Sequence, residues 1–187
     1  MRKRNLLIIA LYITGALGMT IVEAKIKPEM ERQQEQYRLE QLNPLTHDFQ
    51  SVLPYKNKYM GNAGNLANLN DRLPFGAIVA SYQLYSEDLT AEIYYDRKAA
   101  DLEEKRLKQT LLYNSTANFV LIDNLQALKL SFNGTSYTIT REAVEQWYGD
   151  RFKELQDKET WKKEVQGPLA DPAHVERFYE QNVAVGQ

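Results

Sequence analysis

The sequence predicts an α+β protein. Two hairpins flanking a long helix would form a four-stranded, mostly antiparallel sheet with helices on one face, preceded by an N-terminal transmembrane helix. Three observations carry this prediction. An uncharged run from Leu6 to Val22 follows the basic cluster Arg2, Lys3 and Arg4. Asn133-Gly134 separates two alternating segments, as the favoured residue pair of a type I′ hairpin turn does. Between the hairpins, a charged stretch from Asp96 to Lys108 leads into apolar residues at helical spacing.

At roughly 1.5 Å per helical residue, the uncharged run reaches about 25 Å, close to a hydrocarbon core of about 30 Å. The basic cluster would stay cytoplasmic and everything after Glu23 would lie outside. The alternative is a cleavable signal, with Val22-Glu23-Ala24 as the small-x-small site and a secreted chain starting at Lys25. Residues 1–24 are thus an anchor or a signal, and the bilayer is the first expected partner, through residues 6–22. Residues 25–46 are polar and glutamine-rich and read as a helical stalk ending near Asn43-Pro44.

The globular part, residues 47–150, opens on Phe49, Val52, Leu53 and Tyr55. Gly61 to Asn65 makes a turn, and Leu66, Leu69 and Leu73 follow at helical spacing until Pro74. Ile78 to Tyr85 reads as a strand, Ser86-Glu87-Asp88 as a turn, and Leu89 to Tyr95 as the antiparallel partner. In the long helix, Leu107, Leu111, Leu112, Phe119 and Ile122 fall on or beside one stripe. Leu128 to Phe132 and Ser136 to Thr140 form the second hairpin. Thr140 then caps a helix through Trp147 that Gly149 stops. Residues 151–187 form a helical tail packed on the domain, with Asp171-Pro172 starting its last helix.

Composition narrows the function. The chain has 187 residues, a net charge of −2 and no cysteine. Without basic excess, nucleic acid is not an expected partner. Without cysteine there is no disulfide framework, zinc–thiolate site, Cys nucleophile or lipidated Cys. Such an exported domain fits a bacterial surface.

Several segments occur together in a familiar order: Tyr55 to Asn62, the run to Leu73-Pro74, Tyr94-Tyr95-Asp96, Leu112 to Ala117, Tyr137 to Glu142, and Trp147-Tyr148-Gly149. Over Tyr55 to Asp150 the chain resembles an uncharacterised extracytoplasmic domain of Gram-positive bacteria, a domain of unknown function. The resemblance implies an extracytoplasmic place, on lipoproteins or after transmembrane helices in anti-sigma-like and antirepressor-peptidase-like membrane proteins. This chain departs from that pattern at Asn62, where Asp is usual, and in having an apolar anchor in place of a lipidated Cys. The resemblance carries over no catalytic residues.

The residues themselves offer little chemistry. His47 and His174 stand far apart in sequence, in no HxxxH, HExxH or GxSxG pattern, and read as surface histidines. The Gly61–Asn65 segment lacks the Lys-Ser/Thr of a phosphate loop. Asp96, Asp101, Glu103 and Glu104 suit the positive end of a helix dipole, without EF-hand spacing. No catalytic, metal or cofactor residue is expected. Tyrosine stands out, with 12 in the chain, seven of them on or beside the expected sheet and its helix. Tyr82 and Tyr94 lie within facing strands and could pair across them, as binding residues for a peptide, glycan or partner domain or as half-buried core-edge tyrosines. The expected function is a membrane-tethered, extracytoplasmic, non-enzymatic sensing or protein-interaction module, with another membrane or envelope protein as partner. The alternatives are a cell-envelope accessory enzyme or enzyme inhibitor, or a structural assembly protein.

Overall fold

The computed structural model describes residue 19 and residues 22–186. The expected anchor, Leu6 to Val22, lies outside them apart from Met19 and Val22. Among the described residues no helix is long and apolar enough to cross a membrane, so the described fold carries no transmembrane helix. After a π-helical turn at Val22–Ile26, helix α1 spans Lys27–Gln41. Its sequence is polar on all sides, and Arg32–Glu29 and Arg38–Glu35 ion pairs three residues apart support it locally.

Residues 40–187 form a second compact unit. Helix α2 (Ala63–Asn70) begins where the Asn62 side chain accepts the Asn65 N–H, filling one of the orphan donors of a helix start. Strands β1 (Val79–Tyr85) and β2 (Thr90–Tyr95) follow, then helix α3 (Glu104–Leu121), then β3 (Ala127–Phe132) and β4 (Thr135–Thr140). Thr140 caps α4 (Arg141–Tyr148), and Gly149 ends it at φ +56°. The tail contains the short α5 (Lys158–Trp161), α6 (Pro172–Asn182) capped by Asp171, and a last strand, β5 (Ala184–Gly186).

The sheet has five strands and is mixed, which corrects the expected four-stranded, mostly antiparallel arrangement. Its order is β1-β2-β3-β4-β5, antiparallel throughout except that β3 runs parallel to β2. The cause is connectivity. A helix between two neighbouring strands carries the chain back to the end where it started, so the second strand must run parallel to the first. The fifth strand escaped notice because three residues, Ala184-Val185-Gly186, are too few to show a period.

The hairpin at Asn133-Gly134 forms where expected, with Phe132 opposite Thr135, but the turn is not type I′. Gly134 has φ +92° while Asn133 keeps a negative φ, and type I′ needs both positive. The Asn133 N–H donates to the Arg97 carbonyl at 2.9 Å, a bond from outside the hairpin.

One face of the sheet is covered. Ala91, Ile93, Tyr95, Leu128, Leu130, Phe132, Tyr137 and Ile139 are all buried there. Helix α3 lies across this face, with α2, α4 and α6 packed on it in turn. Every residue from Gln109 to Leu121 is therefore buried, not only the expected stripe. A helix enclosed on all sides has to draw most of its side-chain hydrogen bonds from the protein itself, although Thr110 Oγ1 finds no partner among the described residues. Asn118 and Asn70 exchange reciprocal amide bonds at 2.8 and 2.9 Å, and the Asn114 amide donates to the Pro74 carbonyl at 2.6 Å. In the tail, the Trp161 indole stacks on Phe49 with centroids 3.5 Å apart.

Candidate functional site

The other face of the sheet is open and polar. One row across it runs Gln83, Glu92, Lys129, Thr138 and Ala184, and the next runs Ser81, Tyr94, Ser131, Ser136 and Gly186. Its alternation begins at a bulge. Val79 pairs with Tyr95 and Ser81 with Tyr94, which leaves Ala80 as the extra residue and turns Ser81, Gln83 and Tyr85 outward.

Glu92 is the unexpected member of this face. It lies on an otherwise open surface, yet only 3% of it is exposed. The rings and stems around it exclude water and supply donors in its place. Its carboxylate accepts from Ser131 Oγ at 2.6 Å, Tyr85 Oη at 2.9 Å and Lys129 Nζ at 3.0 Å. Burial alone would raise its pKa, but hydrogen bonds from Ser131, Tyr94, Lys129 and Tyr85 overcome this and hold it at about 2. Hydrogen bonding to the Glu92 carboxylate and to Tyr85 pushes the Tyr94 hydroxyl up, because both stabilise its protonated form. The acid stays ionised and the phenol stays protonated across the physiological range. The cluster is thus a charged carboxylate held by hydroxyl and ammonium donors. What it does is fix two tyrosines, whose residues remain 41% (Tyr85) and 36% (Tyr94) exposed.

Tyr82 and Tyr94 are not brought together. Ser81 is the partner of Tyr94, and Tyr82 pairs with Ile93, so the two rings stand on opposite faces. Tyr82 is half-buried on the covered face, where its hydroxyl donates to Asp71 Oδ1 at 2.6 Å. Burial and that carboxylate push its pKa up. Tyr94 belongs to the open face.

The histidine expectation needs correction too. His47 is a core residue, 1% exposed. Its Nε2 lies 3.0 Å from the Arg72 carbonyl, which can only accept, so Nε2 carries the proton and Nδ1 accepts from Tyr113 Oη at 2.8 Å. Burial holds its pKa at about 4, against the opposing pull of the Arg72 carbonyl and the Asp48 charge. A neutral imidazole inside a packed core explains its position without catalysis. His174 is half-buried and meets the Trp147 ring edge-on at 5.1 Å. Of the acids near the long helix, Glu104 is in its first turn and pairs with Lys108 at 2.7 Å. Among the described residues no group of three or more His, Asp or Glu side chains is placed to hold a metal ion.

Sequence reasoning missed Glu92, Lys129 and Ser131. A signal existed: Glu92 is the one charge inside the strand Thr90-Ala91-Glu92-Ile93-Tyr94-Tyr95. Its partner could not be named without the parallel register that sets Glu92 beside Lys129.

Comparison with known families agrees with the outline of the earlier resemblance. Residues 52–142 match the model of a domain of unknown function, DUF4825. That interval holds α2, β1 to β4, α3 and the whole Glu92 cluster. It leaves β5 and the tail helices outside. No curated protein and no solved structure matches the chain.

Proposed function

We propose that this chain is an extracytoplasmic, non-enzymatic protein-interaction module whose contact surface is the open face of its sheet. The observation that carries the reading is the pair Tyr85 and Tyr94, held by one buried carboxylate with their rings facing water. Tyrosine combines apolar area with a polar tip and loses little rotamer freedom on binding, least when its hydroxyl is already fixed. Preorganisation of this kind lowers the cost of association. The basic cluster and apolar run of residues 2–22 support an exported, membrane-held location, and the partner is then another membrane or envelope protein. The resemblance to extracytoplasmic domains on lipoproteins and anti-sigma-like membrane proteins would favour the same place.

The test uses the full chain in its own membrane. A photoreactive aromatic residue is introduced at Tyr94, or at Tyr59, which is 67% exposed and lies outside the sheet. A discrete crosslinked product from position 94 alone, lost when Tyr85→Ala is added, is expected. Equal products from both positions, or none from 94, would overturn the assignment of the face.

A further inference from the structure

The two edges of the sheet are not alike. β5 is a three-residue edge, too short to template another strand. β1 is seven residues long, with no proline and no charged side chain. Natural sheets blunt a long edge with lysine, proline, shortness or a cover, because its unpaired N–H and C=O groups otherwise invite a further strand. β1 has only the bulge at Ala80, and beyond it Ser81 to Tyr85 runs in regular register. None of the seven residues of β1 is buried. Among the described residues, no side chain bonds to its backbone.

The charges at its two ends show what fits there. The turn after β1 carries Glu87 and Asp88, both exposed. At the opposite end the Asp96 N–H donates to the Ile78 carbonyl at 2.9 Å, which sets Asp96-Arg97-Lys98 beside the start of the strand. Arg97 and Lys98 are exposed and outnumber Asp96. Glu87, Asp88, Arg97 and Lys98 make no ion pair among the described residues.

We propose that β1 pairs with β1 of a second copy of this chain, antiparallel and centred on Gln83, to give one continuous sheet across a two-fold axis. A two-fold contact brings the same patch together from both copies, so each end of one strand meets the opposite end of the other. The acidic turn of each copy then faces Arg97 and Lys98 of its partner, twice over. The uncharged strand between them brings no like charges into opposition. A partner strand of unrelated sequence would have to reproduce this polarity, whereas a second copy has it by construction. The pairing also sets the two Tyr85–Tyr94 platforms side by side on one face.

The absence of cysteine makes the test direct. Gln83→Cys gives the full chain a single thiol, and residues directly opposite across antiparallel strands have Cβ atoms about 4.5–5.5 Å apart, near enough for a disulfide. Under mild oxidation of the full-length chain in its membrane, Gln83→Cys should form a dimer at least tenfold faster than Tyr59→Cys. Adding Glu87→Lys with Asp88→Lys should slow that reaction about fivefold or more, and Arg97→Glu with Lys98→Glu should restore it. Crosslinking of Gln83→Cys no faster than Tyr59→Cys would overturn the pairing. So would a rate indifferent to the charge reversals, or a mixed disulfide with another protein in place of the self-product.

Discussion

His47 and Glu92 are both withdrawn from water, at 1% and 3% exposure, yet one is held neutral and the other charged. The difference lies in their neighbours. His47 sits between a phenol and a backbone carbonyl, and the Arg72 carbonyl and the Asp48 charge favour a second proton less than burial opposes it, so desolvation decides. Glu92 has hydroxyls on several sides and an ammonium, and these together outweigh the same desolvation. The two clusters also lie on opposite sides of the sheet. The histidine ties Tyr113 and the chain at Arg72 into the interior. The carboxylate holds two tyrosines outward. One polar cluster therefore serves cohesion and the other presentation, and each can be perturbed without the other.

The largest expected effect follows from removing the interior member. His47→Ala should destabilise the protein by about 3 kcal/mol in denaturant titration, from the cavity and from orphaning the Tyr113 hydroxyl and the Arg72 carbonyl. Tyr85→Ala should shift the midpoint far less while abolishing the crosslink from position 94. If the two substitutions cost the same stability, the division between cohesion and presentation fails.

A comparable effect is expected on acidification, and its sign is fixed by the direction of each shift. His47 has its folded pKa lowered from 6.5 to about 4, so the unfolded chain takes up the proton first. Its contribution is present above pH 6.5, falls between 6.5 and 4, and amounts to about 3 kcal/mol. Glu92 acts lower, because its stabilisation is present above the ordinary value of 4.5 and is lost as pH falls toward about 2. Stability measured by denaturant from pH 8 to pH 3 should therefore show two successive losses. In His47→Gln the upper one should flatten while the lower one remains. A wild-type profile flat between pH 6.5 and 4.5 would contradict the neutral core imidazole.

Much of this architecture was legible in the sequence because it rests on local rules. Both hairpins, the long helix and the Thr140, Gly149 and Asp171 caps follow from turn chemistry, periodicity and capping. What was illegible depends on which strand lies beside which. The parallel β2–β3 pairing could not be read locally, and without it neither the mixed sheet nor the Glu92–Lys129 neighbourhood can be derived. The facing of Tyr82 and Tyr94 was lost to the single extra residue Ala80, since a one-residue shift turns every later side chain over. The burial of His47 depends on Tyr113 and Arg72, 66 and 25 residues away in sequence.

Smaller effects separate the donors of the open face. Glu92→Gln keeps the shape but replaces charge-assisted bonds with neutral ones, and should cost about 2 kcal/mol at pH 7. It should also weaken the Tyr94 contact, because the amide holds the phenols less firmly. An unchanged stability together with an unchanged contact would mean that the carboxylate does not organise the platform.

The smallest effect should come from Lys129, although it is the one cation in the cluster. Its side chain is 37% exposed, whereas that of Glu92 is 4% exposed, so water can solvate the ammonium in either state. A partly exposed ion pair typically contributes under about 1 kcal/mol. Ser131 and Tyr85 bond the carboxylate independently, at 2.6 and 2.9 Å. Lys129→Met should therefore shift stability by no more than about 0.5 kcal/mol and leave the Glu92 carboxyl titrating well below 4.5 by NMR. Tyr85→Phe combined with Tyr94→Phe should move that titration further upward than Lys129→Met does. The reverse ranking would make the cluster an ordinary ion pair with tyrosines resting on it, and the open face would lose its claim to a preorganised contact surface.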